Sequence, residues 1–169
     1  TTEIYTLSLH DALPISWNES KEFCNKIGTS IPTEAQWEYA CKAGNTTFYK
    51  LNEWEFKLKS WGWYDGNSEK KTHPVGQKKS NPFGLFDLNG NVWEWCEDTA
   101  NWQDQVVNDS YKGDSIDPVC LSKTFQLRIN RGGSWSTGAR FSRYSNRSCS
   151  WPDKRFYEVG LRQIGRAHV

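Results

Sequence analysis

Methionine is absent from all 169 residues, position 1 included, so the chain reads as one whose natural start lies elsewhere. No stretch approaches the roughly 20 consecutive apolar residues of a membrane-spanning helix. Charge of either sign is not in excess: 21 Lys and Arg face 20 Asp and Glu, a net charge of +1, which gives no electrostatic ground for nucleic-acid binding. The five cysteines (24, 41, 96, 120 and 149) are odd in number and contain no CxxC pair, which excludes the usual zinc-binding spacing and leaves the redox compartment open. No Ser/His/Asp arrangement and no phosphate-binding glycine loop is visible. What is present is aromatic: Phe, Trp and Tyr make up 15% of the chain, against a mean hydropathy of −0.81. A few large rings must therefore build the core of what is, by length, one domain.

Both ends stand apart. Residues 1–15, TTEIYTLSLHDALPI, read codon by codon as a translated short-read sequencing adapter, and IGRAHV at 164–169 reads as its counterpart, with most of the Gln163 codon included. On this reading 1–15 and 163–169 are artefact. Residues 16–162 are then an internal fragment of a natural domain, and neither end is expected to pack on it. His73 is then the single natural histidine.

Within that fragment SWNESKEFCNKIG reads as a helix. Ser16 and Glu19 form a capping box, Phe23 and Ile27 share a face, and Gly28 ends it. TEAQWEYACKAG is a second helix, capped by Thr33 and Gln36, with Trp37, Ala40 and Cys41 inward and Gly44 as the stop. Beyond it helical periodicity fades. FKLKSWGWY, NVWEW and LRINRGGSW read as short strands among Gly, Asn, Asp and Pro turns. Helices first and irregular β structure after them give an α+β domain.

The stretch GLFDLNGNVWEWCED at 84–98 alternates carboxylates with Trp93 and Trp95 directly after a glycine-rich turn. A solvated surface turn would do this, and so would a metal loop anchored in a core; the spacing is not that of an EF-hand. His73, in THPVG, is expected to be structural. Arg131, Arg140, Arg143, Arg147 and Arg155 are expected to make surface and loop hydrogen bonds, or else to bind an anion.

SIPTEAQWEYACKAG, THPVGQKKSNPFGLFDLNGNVWEWCED, RGGSW and PDKRFYEVGLR, in this order and spacing, resemble the formylglycine-generating enzyme (sulfatase-modifying factor) family from Ser16 to Arg162. The resemblance implies a C-type-lectin-like fold: two N-terminal helices, then short antiparallel strands and long loops, with the N-terminal strands of the family missing here. It also implies structural calcium, held by the Asp87 and Glu94 side chains and the Gly90 and Val92 carbonyls. Oxygen ligands converging on a glycine turn suit that ion.

Enzymes of the family oxidise a sulfatase cysteine to formylglycine, using copper held by two cysteines. The matching positions here are Thr137 and Ser142, which argues against copper, because a hydroxyl does not replace a soft thiolate on Cu(I). Cys24 and Cys41 match family positions that form disulfides in some members, with partners expected at Gln163 and Arg147; otherwise they are small buried helix residues. Three functions follow from the resemblance. The first is a family domain without oxidase activity, in a binding or structural role. The second is a variable ligand-binding protein of a diversity-generating retroelement, and the third an active oxidase. For the variable protein, the ligand would be a protein or peptide. Trp135, Phe141, Arg143, Tyr144, Trp151, Phe156 and Tyr157 are the candidate ligand-binding residues, since small residues and aromatics on a rigid scaffold make a binding surface.

Overall fold

The computed structural model describes residues 4–5, 14–45, 51–100, 118–122 and 126–165. Helix α1 spans Trp17–Ile27 and carries the expected capping box: the Glu19 backbone N–H donates to Ser16 Oγ at 3.2 Å, and the Ser16 N–H donates back to Glu19 Oε2 at 3.0 Å. Gly28 ends it at φ 75°, the left-handed conformation in which a Cβ is costly. The inner face differs from the expected one. Trp17, Ser20 and Cys24 are buried, whereas Phe23 and Ile27 are 37% and 48% exposed. The stripe at i, i+3 and i+7 wins because it holds Trp17, the largest ring of the helix.

Strand β2 (Thr29–Ser30) leads to α2, Glu34–Lys42, capped by Thr33 and Gln36 and burying Trp37, Ala40 and Cys41 as expected. Its left-handed C-cap is Ala43, one residue before Gly44. A third helix, α3, spans Leu51–Trp61 and corrects the strand expected over FKLKSWGWY. Trp54, Leu58 and Trp61 fall at i, i+4 and i+7 in a segment of good helix formers. The strand-like spacing of Phe56 with Leu58 and of Trp61 with Trp63 is too short and too broken to tell the two periods apart. Trp54 Nε1 donates to the Ala139 carbonyl at 2.8 Å, which ties α3 to a 3-10 turn at Ala139–Ser142.

The larger sheet has the order β5-β4-β3-β6, with β3 at Trp93–Ala100, β4 at Leu127–Arg131, β5 at Arg147–Ser150 and β6 at Val159–Gly160. β3–β4 and β4–β5 are antiparallel. β6 joins β3 in parallel, Trp93 opposite Val159, so the sheet is mixed rather than wholly antiparallel. A smaller antiparallel sheet, in the order β1-β7-β2, joins Ile4–Tyr5 and Thr29–Ser30 to β7 at Gln163–Gly165. The expectation that both ends stay off the fold is therefore corrected for these residues. Ile164 is buried, and Ile15 offers its carbonyl to Trp95 Nε1 at 3.1 Å. An apolar residue at the centre of a three-stranded pairing gains both ladder hydrogen bonds and burial. Leu7 and Leu13 lie outside the described residues.

β3 divides the core. Trp93 and Trp95 face Trp17, Cys24, Ile31 and Val159. Cys96 and Ala100 face Trp37, Cys41, Leu88, Leu127 and Ile129. A buried ring of this size removes on the order of 150–250 Å² from water, about 4–6 kcal/mol before ordering costs. The alternation thus sends Trp93 and Trp95 to the α1 side and Glu94 and Asp98 to the α2 side, while Glu97 pairs with Lys21 of α1 at 2.9 Å.

Candidate functional site

The segment from Phe86 to Trp93 is the turn that feeds β3, and it is fastened on every side. Gly90 sits at φ 105°, and a Cβ there would lie 2.2 Å from the Trp63 carbonyl oxygen, so no other residue fits. Its N–H donates to the Gly132 carbonyl at 2.8 Å. The Asn91 N–H donates to the Trp63 carbonyl at 2.7 Å, and the Trp135 N–H to the Asn91 carbonyl at 2.8 Å. The Asn91 side chain exchanges two hydrogen bonds with the His73 backbone, each 3.0 Å. His73 is structural as expected: its ring stacks on Trp63 at 3.7 Å and its Nε2 bonds to the Ser68 carbonyl at 2.7 Å.

The two carboxylates of the expected metal set lie in different surroundings. Asp87, in the left-handed region at φ 57°, accepts from the Gly76 N–H through Oδ2 at 2.7 Å, while its buried Oδ1 has no partner. Burial pushes the Asp87 carboxyl above the usual range. Glu94 is saturated by comparison. Arg162 grips it with Nε to Oε2 at 2.7 Å and Nη2 to Oε1 at 2.6 Å, and Trp37 Nε1 donates to Oε2 at 2.7 Å. Arg162 also reaches the Phe86 carbonyl at 2.9 Å. Burial opposes its charge, yet Glu94 and then Asp87 hold its pKa above the ordinary guanidinium value.

Among the described residues no three His, Cys, Asp or Glu side chains converge on one point, so a metal here depends on carbonyl oxygens. The chemistry fits a hard cation in one respect above all, the orphaned buried oxygen of Asp87 beside a turn that only glycine can make. Glu94 would be shared with Arg162, which lowers the negative charge offered to the ion.

Thr137 and Ser142 lie around the Gly132–Gly133 turn. Thr137 Oγ1 accepts from the Ser134 N–H at 2.9 Å and donates to the Ser134 carbonyl at 3.1 Å. Ser142 Oγ is buried without a partner, 2.5 Å from where a Cβ on Gly133 would sit. Asn89 Nδ2 donates to the Ser142 carbonyl at 2.7 Å and, at 3.4 Å, to Cys41 Sγ. All five cysteines are free thiols. Burial pushes the Cys41 thiol to about 12 and the Cys96 thiol well above its usual value, so neither offers a thiolate near neutral pH. Cys24 and Cys41 are the small buried helix residues of the simpler expectation. At the position expected to pair with Cys24, Gln163 Oε1 accepts from Thr29 Oγ1 at 2.9 Å.

The candidate ligand-binding residues divide. Phe141 and Phe156 pack against the Trp17–Trp95 cluster, and Tyr144 packs against the Trp37 cluster with Lys42 Nζ 5.0 Å from its ring. Trp135 and Arg143 are half-buried. Trp151 and Tyr157 stand out, 51% and 78% exposed.

Sequence reasoning missed Arg162 and misjudged Arg131. Arg131 is fully buried, not a surface group. It lies 3.3 Å through Nε from Glu34 Oε1, pairs with Glu38 and donates to the Asn146 carbonyl. Arg147 forks onto the same Glu34. Asp98 accepts from the Glu34 N–H at 2.6 Å at the start of α2, where the helix dipole favours an anion, and from the Cys120 N–H at 2.8 Å. The usable signal was on β3 itself: Glu94 and Asp98 share the face opposite the tryptophans, so buried cations had to come from elsewhere.

A mixed sheet flanked by helices, with long tethered loops carrying the polar sites, defines a C-type-lectin-like α+β domain. The chain belongs to the sulfatase-modifying factor family: the sequence profile described as "Sulfatase-modifying factor enzyme 1-like domain" matches residues 2–167. It is 30% identical to the formylglycine-generating enzyme of Mus musculus over 92% of this chain and 44% of that protein. It is 28% identical to that of Thermomonospora curvata over 90% and 54% respectively. The chain thus spans about half the length of the curated relatives it matches. Among solved structures it resembles Treponema denticola variable protein 1, with a TM-score of 0.76 at 28% identity, over 90% of this chain and 70% of that one. PvdO from Pseudomonas aeruginosa shares the fold, with a TM-score of 0.72 at 23% identity, over 95% of this chain and 64% of that one. Among the described residues no helix is long and apolar enough to cross a membrane.

Proposed function

We propose that this is a sulfatase-modifying-factor family domain without copper-dependent oxidase activity, acting by binding. The observation that carries the reading is the chemistry at Thr137 and Ser142. One hydroxyl has both its donor and acceptor roles taken by Ser134, and the other is enclosed beside Gly133. Both stay protonated near neutral pH and neither is a ligand for Cu(I). The residues present do not fit copper. Calcium fits better: Asp87, Gly90, Val92 and Glu94 would hold it, and it would brace the turn into β3 rather than take part in a reaction.

A full-length gene product, incubated with copper, oxygen and a cysteine-containing sulfatase peptide, is expected to yield no formylglycine. It is also expected to leave Cu(I) on a competing chromogenic chelator. Turnover would overturn the reading in favour of an active oxidase, and turnover lost on Cys149→Ser would place the metal at an unexpected thiol.

One observation favours a second reading, that of a variable ligand-binding protein. Trp151 and Tyr157 are large, exposed and carried on the loops that follow β5, and the overall likeness to Treponema denticola variable protein 1 is compatible with it. A template repeat and a reverse-transcriptase gene beside the source gene are the expected signature. A lone gene without either sinks it.

A further inference from the structure

Beside the turn at Asp87 lies a small cavity of about 70 Å³, between the end of α2, the end of α3 and residues 79–82. A space of that size admits a water-sized group such as an ammonium. Trp61, Leu85 and Leu88 form apolar walls, and the charged residues that line it are Asp87, Lys42 and Lys79. Asp87 is 4% exposed and its Oδ1 has no hydrogen-bond partner, so a buried carboxylate oxygen is left without a donor. Of the four residues that would hold calcium, Asp87 alone lines this cavity.

The cations around Asp87 differ in what they are committed to. Arg162 is held by both oxygens of Glu94. Lys78 donates to the Lys59 carbonyl at 2.8 Å and lies 3.6 Å from the centre of the Trp63 ring. Lys42 pairs with Glu38 at 2.6 Å and lies 5.0 Å from the Tyr144 ring. Lys79 is fixed by its backbone, whose N–H donates to the Ser60 carbonyl at 3.0 Å. Its side chain is exposed and its ammonium has no partner among the described residues. One uncommitted cation therefore lines the same cavity as one unpaired buried anion. An unpaired buried carboxylate costs more than the rotamer freedom that a lysine gives up, and the methylenes of Lys79 can lie along Trp61 and Leu85.

We propose that in the metal-free protein Lys79 turns into this cavity and pairs with Asp87 Oδ1, which makes it a tethered competitor of the cation held at Asp87. The pairing stands on the cavity and the orphaned oxygen; the competition rests on calcium as the ion bound there. Calcium must expel the ammonium before it can use Asp87, so the site is held closed to weak or scarce cations.

The test uses the full chain with ¹³C-labelled lysine, first in EDTA and then in calcium. In EDTA the Lys79 Cε should be clearly more ordered than that of Lys70, an exposed lysine that does not line the cavity. It should become as mobile as Lys70 in Asp87→Asn, and in the parent once calcium is added. By calorimetric titration Lys79→Met should bind calcium about three- to tenfold more tightly than the parent, because apparent affinity falls with the fraction of molecules whose site is open. Lys70→Met removes the same charge outside the cavity and should change the affinity less than about twofold, the more so at high salt, where distant charges are screened. The pairing is overturned if Lys79 is as mobile as Lys70 in EDTA or is equally ordered in Asp87→Asn. The competition is overturned if Lys79→Met and Lys70→Met shift calcium affinity alike. If neither the parent nor Lys79→Met responds to calcium, the calcium reading and the competition fall together, and the spectra in EDTA alone decide the pairing.

Discussion

The two faces of β3 are built from the same eight residues by opposite means. On the α1 side Trp93 and Trp95 pack with Trp17, Cys24, Ile31 and Val159, where ring burial dominates and only the indole N–H groups of Trp95 and Trp17 add hydrogen bonds, to the Ile15 and Cys96 carbonyls. On the α2 side Glu94 and Asp98 are buried and answered by Arg162, Trp37 and the start of α2. The first face is held mainly by the volume of its rings. The second is held by partners distant in sequence and fails when one of them is missing. The difference teaches where position is fixed most strictly. The turn from Phe86 to Trp93, which bears the candidate site, is anchored from the charged side by Arg162, while the tryptophans supply bulk burial.

The largest effect should come from breaking the charged face. Arg162→Ala leaves Glu94 buried and unpaired and should cost about 3–5 kcal/mol in urea unfolding. Adding Glu94→Gln to Arg162→Met should recover a large part of that loss, because the uncompensated charge has gone. A single variant as stable as the parent would erase the contrast between the faces. On the apolar face Trp95→Phe removes part of a ring and the bond from Nε1 to the Ile15 carbonyl. It should cost about 2 kcal/mol, less than the loss of Arg162, by the same measurement. A reversed order would show that packing outweighs charge here.

Calcium sharpens the comparison from within the charged side. Burial raises the Asp87 carboxyl, so its folded pKa lies above its unfolded one. That sign means its deprotonation costs stability at neutral pH, and the cost fades as pH falls through the folded pKa towards the ordinary carboxylate value. Asp87→Asn is therefore expected to stabilise the metal-free protein slightly. With calcium at ten times its Kd, the parent should gain about 1.4 kcal/mol, a rise of about 4 °C in Tm, and the variant should gain nothing. Scanning calorimetry in EDTA and in calcium reads both signs. A parent indifferent to calcium removes the ion from the account, and an equal response in Asp87→Asn removes Asp87 from the site.

Much of this was legible in local sequence, because local rules made it. Two capping boxes, the inner face of α2 and the start of β3 each rest on residues within a few positions of one another. What was not legible depends on distance or on short ambiguous runs. The α3 segment mimics a strand over six residues, and β6 pairs in parallel with a strand some 65 positions away, a register no local pattern encodes. The site was half legible. The Asp87–Glu94 turn stood out as carboxylates set among glycine and tryptophan, but a solvated turn fitted those residues as well, and the metal set came only from the family resemblance. That Glu94 would be taken by Arg162, 68 residues on, followed only from the rule that a buried acid needs a cation.

The smallest effect is expected where charge pairing leaves the core altogether. Glu19 meets Arg155 on the surface, Nε to Oε2 at 2.9 Å, and the same carboxylate closes the capping box with Ser16. Arg155, then Ser16, lowers the Glu19 carboxyl to about 2. A carboxyl lowered in the folded state contributes stability above its unfolded pKa and loses it as pH falls through the folded value, here between the usual carboxylate range and about 2. The pair lies at the surface, its side chains 61% and 38% exposed, so solvent and salt screen it, and the protein should barely register Glu19→Gln in its melting temperature at neutral pH. The carboxyl itself should register salt clearly. In an NMR titration its midpoint should climb towards the usual value between 0.05 M and about 1 M salt, as the Debye length shrinks to about 3 Å. Part of the depression should persist, because the two Ser16 hydrogen bonds are short-range and not screened. A midpoint indifferent to salt would mean that Ser16 holds Glu19 alone. A midpoint returning fully to the usual value would mean that the capping box contributes nothing to it. Either result would move this contact out of the graded series that runs from the buried Arg162 pair to the exposed Arg155 pair.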